Sequence, residues 1–388
     1  MRIGIIREFA PSERRVPLVP ESVRRLAAKQ ISTLFEPSAG AGSLIADEEY
    51  VAAGAELAEG RAAVLARCDV LLRLRPPAIE DVGELRPGTV LVAPILPQAR
   101  PNLVTALAAR GIDTVAVDSI PRTTAAQMMD VLSSQATCAG YCAVLTAAAA
   151  LPRFFPMLIT AAGTIAPAKV LVLGAGVAGL QAIGTARRLG AVVEAFDVRR
   201  VVKEQVESLG ARFIEVDAQE DGQAAGGYAR EVSEAYKRKQ AEVLGRHLAK
   251  ADVCITTALI PGRRAPTLLT AQMVAQMKPG SVIVDLAAEQ GGNCELTEPG
   301  QTVVRSGVTV VGALDFPSNL AVHASQMYSR NIERLLLHLH KDGALRLDRD
   351  DEITRGCVIV RGGAVVTPAL QPASPAPPPA AVAAGGAA

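Results

Sequence analysis

The clearest chemical signal in the sequence comes from three glycines with a fixed spacing. The segment LVLGAGVAGLQA places Gly174, Gly176 and Gly179 directly after an apolar strand and directly before a helix. In that setting the first glycine permits a tight turn, the second lets the backbone approach a pyrophosphate, and the third lets helix and strand pack closely. The first helical turn, with Val177 and Ala178, then offers free N–H groups and the positive end of the helix dipole. The segment predicts a dinucleotide-binding site.

An acidic residue follows where such a site binds ribose. The second strand of the unit ends at Asp197, 18 residues beyond Gly179. A carboxylate there hydrogen-bonds the adenine-ribose hydroxyls and repels a 2′-phosphate, which favours NAD(H) over NADP(H). Val198 and Arg199 follow as further candidate contacts, although Arg199 and Arg200 could in principle hold a 2′-phosphate. NAD(H) is therefore the predicted cofactor.

Two further stretches are candidates for cofactor contacts. Thr257, Ala258 and Leu259 follow a strand of the same unit, as does the stretch 285–292, and strand ends line the dinucleotide crevice in such folds. The Gly/Ala-rich segment DGQAAGGYAREV, residues 221–232, lies between a strand and a helix and is suited to a mobile lid. The alternative for that segment is an ordinary surface loop.

Alternating strands and helices place these residues in two α/β units. The first unit shows strand-like runs at 2–6, 69–74, 89–92 and 112–117, and helices from Pro20 and near 47–57 and 101–110. The second shows strands at 169–174, 192–197, 252–257, 281–286 and 308–313, and helices at 177–189 and near 203–209. Such alternation predicts parallel, doubly wound sheets.

Two long helices connect the units. An Ala-rich helix over 130–151 leads into the second unit, and a helix over 317–341 could return the chain to the first. The Pro/Ala-rich tail cannot bury a core and is predicted to be disordered. The predicted domain limits are 1–135 plus 320–370 for the first domain, 136–319 for the NAD(H)-binding domain and 371–388 for the tail.

The composition argues against several other classes of protein. With 40 basic and 39 acidic residues, the net charge of +1 gives no electrostatic case for a nucleic-acid partner. We find no run of about 18 apolar residues, and the first fifteen residues are charged where a signal peptide is apolar. We therefore expect no transmembrane segment and a cytoplasmic location. The six cysteines form no CxxC pair and have no nearby histidine, which predicts reduced, buried thiols and no metal site.

Several segments together resemble the alanine dehydrogenase and transhydrogenase superfamily, in an order that spans Arg2 to about Ala369. They are RVPLVPESV (15–23), SSQATCAGY (133–141), MLITAAGTIAPAKVLVLGAGVAGLQAI (157–183), VKEQVESLG (202–210), AAGGYAREV (224–232), TTALIPGRRAP (256–266) and MKPGSVIVDLAAEQGGNCELT (277–297). The resemblance is closest to the NAD(H)-binding first domain of transhydrogenase α subunits. It implies two Rossmann-like domains with a cleft between them, the first completed by the C-terminal segment.

The two branches of that superfamily need different catalytic groups. Oxidising an amine at carbon requires a general base, and alanine dehydrogenases use a lysine and a histidine of the first domain. The lysine position is Arg75 here and the histidine falls near Pro94; arginine stays protonated and proline is inert. Arg15 remains as a carboxylate contact or a structural ion pair. Hydride transfer between two nicotinamide rings needs only close approach in a dry site, so the transhydrogenase branch is favoured.

The resemblance implies a second portion of the site in the segment PRTTAAQMMDVLSSQ. Arg122, Asp130 and Ser133 would hold the carboxamide and neighbouring groups of NAD(H). Gln127 would point outward, toward NADP(H) on a partner. Gln127, Arg122 and Asp130 are thus the candidate catalytic residues. From the residues alone, an ordinary polar helix start remains the alternative.

The resemblance also implies partners. Tyr228, in the lid segment, would touch the bound nucleotide. Because the chain shows no second nucleotide motif and no membrane span, NADP(H) would be bound by a β subunit and the proton path would lie in that subunit and a small membrane α2 subunit. A homodimer, peripheral on the cytoplasmic face of the inner membrane, is expected. An alanine-type amino-acid dehydrogenase and a non-catalytic NAD(H)-binding module remain as alternatives.

Overall fold

The computed structural model describes residues 1–8, 10, 12–216, 233–259 and 264–367. The strands are β1 (Arg2–Ile5), β2 (Ser32–Phe35), β3 (Glu56–Leu57), β4 (Val70–Leu72), β5 (Val90–Ala93), β6 (Asp113–Ala116), β7 (Leu158–Thr160), β8 (Gly163–Ile165), β9 (Lys169–Leu173), β10 (Val192–Phe196), β11 (Arg212–Phe213), β12 (Val253–Thr256), β13 (Val282–Asp285), β14 (Thr302–Arg305), β15 (Val308–Gly312), β16 (His340–Lys341), β17 (Ala344–Leu345), β18 (Val358–Arg361) and β19 (Ala364–Val365). The α-helices are α1 (Pro20–Ala27), α2 (Asp47–Ala52), α3 (Arg61–Arg67), α4 (Pro101–Ala109), α5 (Val131–Ala150), α6 (Val177–Arg188), α7 (Lys203–Ser208), α8 (Glu234–Leu248), α9 (Ala271–Val274), α10 (Phe316–Asn319), α11 (Ala321–Leu339) and α12 (Glu352–Cys357).

Two large sheets organise these elements. The first has the order β19-β18-β6-β5-β4-β1-β2-β3, in which β6 to β3 are parallel and β18 and β19 antiparallel. The second has the order β11-β10-β9-β12-β13-β15-β14, parallel except for β14. The prediction of two Rossmann-like parallel sheets is confirmed. The domain limits themselves stay a prediction.

The central strands are apolar because both of their faces are covered. The residues of β12 and β13 are all buried, as expected for parallel strands that lie between two layers of helices. Helix α1 begins at Pro20, which occupies its first turn. The predicted helix at 47–57 is wrong in its second half: α2 ends at Ala52, and Gly54 at φ +95° turns the chain into the edge strand β3.

The C-terminal region of the chain returns to the first sheet. Ser325 of α11 accepts a hydrogen bond from the Val16 amide at 2.9 Å, and the Tyr328 hydroxyl donates to the Arg73 carbonyl at 3.0 Å. The strands β18 and β19 then extend the sheet beyond β6. The single helix predicted over 317–341 is wrong: Leu320, at φ −110° and ψ 39°, leaves the helical region and separates α10 from α11.

Helix α5 joins the two units and is the longest helix among the described residues. By length and composition it is apolar enough to cross a membrane, with 39% of its most apolar window buried. The expectation that no segment is that apolar was therefore too strong. Because α5 packs against both α6 and α11, its apolar surface has partners within the protein. That packing favours a core helix.

Candidate dinucleotide site

Two glycines of the loop between β9 and α6 are required by the chain itself. Gly174 has φ +100°, and its carbonyl accepts a hydrogen bond from the Thr257 hydroxyl at 3.0 Å. A Cβ on Gly179 would lie 1.8 Å from the Gly174 carbonyl oxygen, closer than any side chain allows. The loop is therefore drawn tightly onto the first turn of α6 and the end of β12.

Gly176 differs, because nothing in the chain requires a glycine there. Its φ of −77° suits any residue, and the atom nearest to a Cβ built on it is Nη2 of Arg199, at 4.0 Å. The missing side chain leaves open space beside the start of α6, next to Val177 and Ala178. That space is where a pyrophosphate would approach the loop, so the residues present fit a dinucleotide.

Asp197 ties the end of β10 to the glycine loop. Its carboxylate accepts hydrogen bonds from the Ala175 amide at 2.7 Å and from the Arg199 amide at 2.9 Å. The Arg199 guanidinium donates to both carboxylate oxygens, at 2.9 and 2.8 Å, and this hydrogen bonding raises the pKa of Arg199. A carboxylate offers about four acceptor positions, all used here, so a ribose hydroxyl must displace the guanidinium. Val198 is partly buried between them.

The segment after β12 forms the other side of the crevice. Thr257 and Ala258 are half-buried and Leu259 is exposed. The side chain of Asn293 holds Ala258 through both its backbone N–H and its carbonyl. Sequence reasoning missed Asn293, although it follows the stretch 285–292 that was a candidate contact. The predicted contact Tyr228 lies outside the described residues.

The segment containing Arg122 and Asp130 forms a compact turn ahead of α5. The Asp130 carboxylate accepts from the Ser133 amide at 2.9 Å and from its hydroxyl at 2.6 Å, and so caps the helix. Arg122 and Gln127 are exposed. This arrangement also fits the alternative of a polar helix start. The nucleotide roles of these four residues stay predictions.

Two fastenings fix that turn relative to the rest of the protein. The Asn331 amide of α11 donates to the Met128 carbonyl at 2.8 Å. On α5, a Cβ on Gly140 would lie 2.1 Å from the Ala178 carbonyl oxygen, so α5 and the first turn of α6 touch backbone to backbone. One helix therefore connects the 122–133 segment to the glycine loop.

An ion-pair cluster lies at the junction of the two units. Glu13 accepts from Arg15 at 2.6 Å and from Arg75 at 3.0 Å, and Arg75 also pairs with Asp315. Burial alone would raise the pKa of Glu13, but the hydrogen bonds and charges of the two arginines lower it below its ordinary value. Of the two roles left open for Arg15, the structure shows the ion pair.

The cysteines are free and buried, as predicted. Burial raises the pKa of Cys68 and Cys142 to about 11 and that of Cys357 to about 12. Within the described residues, no group of three or more His, Cys, Asp or Glu side chains is placed to hold a metal ion.

Comparisons with known proteins give a consistent result. Residues 4–139 match the family model for the alanine dehydrogenase/PNT N-terminal domain, and residues 143–368 match that for the C-terminal domain. In Rhodospirillum rubrum the NAD(P) transhydrogenase subunit alpha is divided, and its first piece is 46% identical to this chain over 379 residues, covering 95% of this chain and 99% of that protein. A crystal structure of transhydrogenase from Sinorhizobium meliloti is similar with a TM-score of 0.86 and 45% identity, covering 94% of this chain and 100% of that one. Alanine dehydrogenase of Mycobacterium tuberculosis is 32% identical over 302 residues, 77% of this chain and 76% of that protein.

Proposed function

Since the chain belongs to the alanine dehydrogenase/PNT family, we propose that it is the NAD(H)-binding component of a proton-translocating NAD(P) transhydrogenase. Its reaction is direct hydride transfer between NADH on this chain and NADP⁺ on a partner subunit. One hydride leaves a nicotinamide C4 carbon and is gained by the other, so no proton is exchanged with solvent. Membrane subunits couple that transfer to proton translocation.

The observation that carries this proposal is the ion pairing of Arg75 with Glu13 and Asp315. By resemblance, alanine dehydrogenases have a proton-carrying lysine at this position. An arginine stays protonated at neutral pH, and this one is held by two carboxylates of the chain itself. Ring-to-ring hydride transfer requires no group that gives or takes a proton, only two rings held about 3–3.5 Å apart.

NAD(H), when bound, supplies a nicotinamide ring that gives or takes a hydride at C4. The glycine loop and the first turn of α6 bind its pyrophosphate through backbone N–H groups. Asp197 accepts the ribose hydroxyls once Arg199 turns away. Arg122, Asp130 and Ser133 hold the carboxamide end. The segment from Thr257 to Leu259 borders the ring, and Tyr228 closes over it.

Partners complete the enzyme. The NADP(H)-binding β subunit docks against the exposed Gln127, and a membrane α2 subunit keeps the assembly at the cytoplasmic face of the inner membrane. A homodimer is supported by the hairpin β7–β8, whose apolar residues Met157, Ile159 and Ile165 are exposed, Ile159 to 76%. Apolar side chains clustered on a protruding hairpin are typical of a protein interface.

The test separates Gln127 from the residues that touch NADH. Gln127→Asn should leave NADH binding to the isolated chain near normal, because the side chain is exposed and faces the partner's nucleotide. Exchange with the NADP(H)-binding subunit, followed spectrophotometrically with an NAD analogue, should fall by on the order of 100-fold, since small misplacements of the rings are costly. Arg122→Ala and Asp130→Ala are the matched comparison and should lose both affinity and rate.

Two outcomes would contradict the proposal. Normal exchange in the Gln127→Asn chain would mean that the 122–133 segment does not lie between the two nucleotides. Reduction of NAD⁺ by the isolated chain with alanine would favour the dehydrogenase alternative, and nucleotide binding without any exchange would favour the non-catalytic module.

A further inference from the structure

Asn293 lies directly behind the crevice, on the return segment that follows β13. Its residue is fully buried, and neither the glycine motif nor the 122–133 segment involves it. We propose that Asn293 is a positioning residue that sets where the nicotinamide half of NAD(H) lies. This inference rests on the proposed function and adds a residue to that same site.

The side-chain amide of Asn293 fastens two separate points of the neighbouring segment. Its Oδ1 accepts from the Ala258 amide at 3.0 Å. Its Nδ2 donates to the Ala258 carbonyl at 2.9 Å and to the Pro266 carbonyl at 2.8 Å. An amide side chain has one acceptor oxygen and two N–H donors, so all three functions are used. No other uncharged side chain of similar size offers this set.

Asn293 is itself held by Asp285, the last residue of β13. The Asp285 carboxylate is fully buried and accepts from the Asn293 amide at 2.7 Å and from the Cys294 amide at 3.1 Å. It also accepts from the hydroxyls of Thr256 at 2.9 Å and Thr297 at 2.7 Å. The return segment is therefore anchored to the sheet, and Asn293 carries that anchoring to Ala258.

The strand order places the nicotinamide half beside Ala258. The sheet runs outward in two directions from β9, with β10 and Asp197 on one side and β12 on the other. A dinucleotide crosses the crevice at that switch point, so its adenosine half lies toward β10 and its other half toward β12 and β13. Ala258 follows the end of β12 by two residues. Its position decides how far the ring can approach the partner's nucleotide.

The experiment compares Asn293→Asp with Thr297→Val. The first keeps the acceptor for the Ala258 amide but turns an oxygen toward the two carbonyls. The second removes one hydrogen bond to Asp285 and leaves Ala258 and Pro266 untouched. Each chain is titrated with NADH and with ADP-ribose, which lacks nicotinamide, and its thermal unfolding is recorded. Each is then combined with the NADP(H)-binding subunit, and exchange is measured at saturating nucleotide.

Asn293→Asp should lower the exchange rate by on the order of tenfold and weaken NADH relative to ADP-ribose, because displacement of the ring is costly to the transfer step. Thr297→Val should lower only the unfolding temperature. Equal losses in the two variants, or equal weakening of NADH and ADP-ribose, would show a purely structural role and overturn the inference. Asn293→Ser, which leaves room for a water, replaces the aspartate variant if that one does not fold.

The two proposals fail in different ways. If the wild-type chain exchanges no hydride with the partner, the transhydrogenase assignment is wrong. The ratio of NADH to ADP-ribose affinity in the isolated chain still decides the role of Asn293, because it needs no partner.

Discussion

The substitution Gly176→Ala should abolish tight NADH binding without harming the folded chain. The nearest atom to the new methyl lies 4.0 Å away and φ is −77°, so the protein without nucleotide has room for it. A less flexible unfolded chain and a slightly poorer helix cap act in opposite directions, which leaves the free energy of unfolding within about 1 kcal/mol of the original.

The loss on binding follows from the same geometry. A phosphate oxygen that accepts from the loop lies about 2.9 Å from the backbone nitrogen, and Cβ contacts shorter than 3.4 Å are rare. The methyl therefore displaces the pyrophosphate and breaks at least one charge-assisted hydrogen bond, worth about 1.5–3 kcal/mol. The dissociation constant of NADH should rise about 10- to 100-fold. Fluorescence titration measures it, and differential scanning calorimetry checks the fold.

Gly179→Ala is the matched control. Its methyl would lie 1.8 Å from the Gly174 carbonyl oxygen, so the backbone must shift whether or not nucleotide is present. We expect a loss of about 1–3 kcal/mol of stability. Unchanged NADH affinity in Gly176→Ala would refute the reasoning, because the pyrophosphate could not then lie on this loop.

Three further predictions concern the cofactor, the ion-pair cluster and the hairpin. Asp197→Ala should weaken NADH binding by roughly 1–3 kcal/mol through unpaired ribose hydroxyls; equal affinities of the unmodified chain for NADH and NADPH would contradict the assignment. The pKa of Glu13 is lowered on folding, so its ion pairs contribute stability above the ordinary value of 4.5, and this is lost as the pH falls through the folded-state value. Denaturant titrations of Glu13→Gln should therefore show a shallower loss of stability in acid, and an unchanged slope would count against it. Ile159→Asp should convert a dimer into a monomer by light scattering, whereas an unchanged mass would remove the hairpin from the interface.

How well the sequence predicts this molecule depends on how local each feature is. The glycine loop and the strands on either side of it could be predicted because a turn, an apolar run and a helix start occupy adjacent residues. Pairing of β18 with β6 could not, since it joins residues more than 200 positions apart. The short edge strands β3, β11 and β14 were also missed, because each is stabilised mainly by its neighbour in the sheet.

The same distinction applies to the site. Gly176 and Asp197 belong to one short motif, whereas the partners of Arg75 come from opposite ends of the chain. Asn293 looks like an ordinary turn residue after two glycines in the sequence. Its three side-chain hydrogen bonds become visible only when the ends of β12 and β13 are placed side by side.

The backbone contact between Gly140 and Ala178 makes α5 a lever with a fixed fulcrum. Ser133 lies seven residues from Gly140, which is about 10 Å along the helix axis. A tilt of only about 6° around that fulcrum would carry Ser133 by about 1 Å, a displacement that can change the rate of a transfer step by on the order of 100-fold. A small rotation of one unit against the other would thus act as a throttle on hydride transfer, with no residue of the glycine loop having moved.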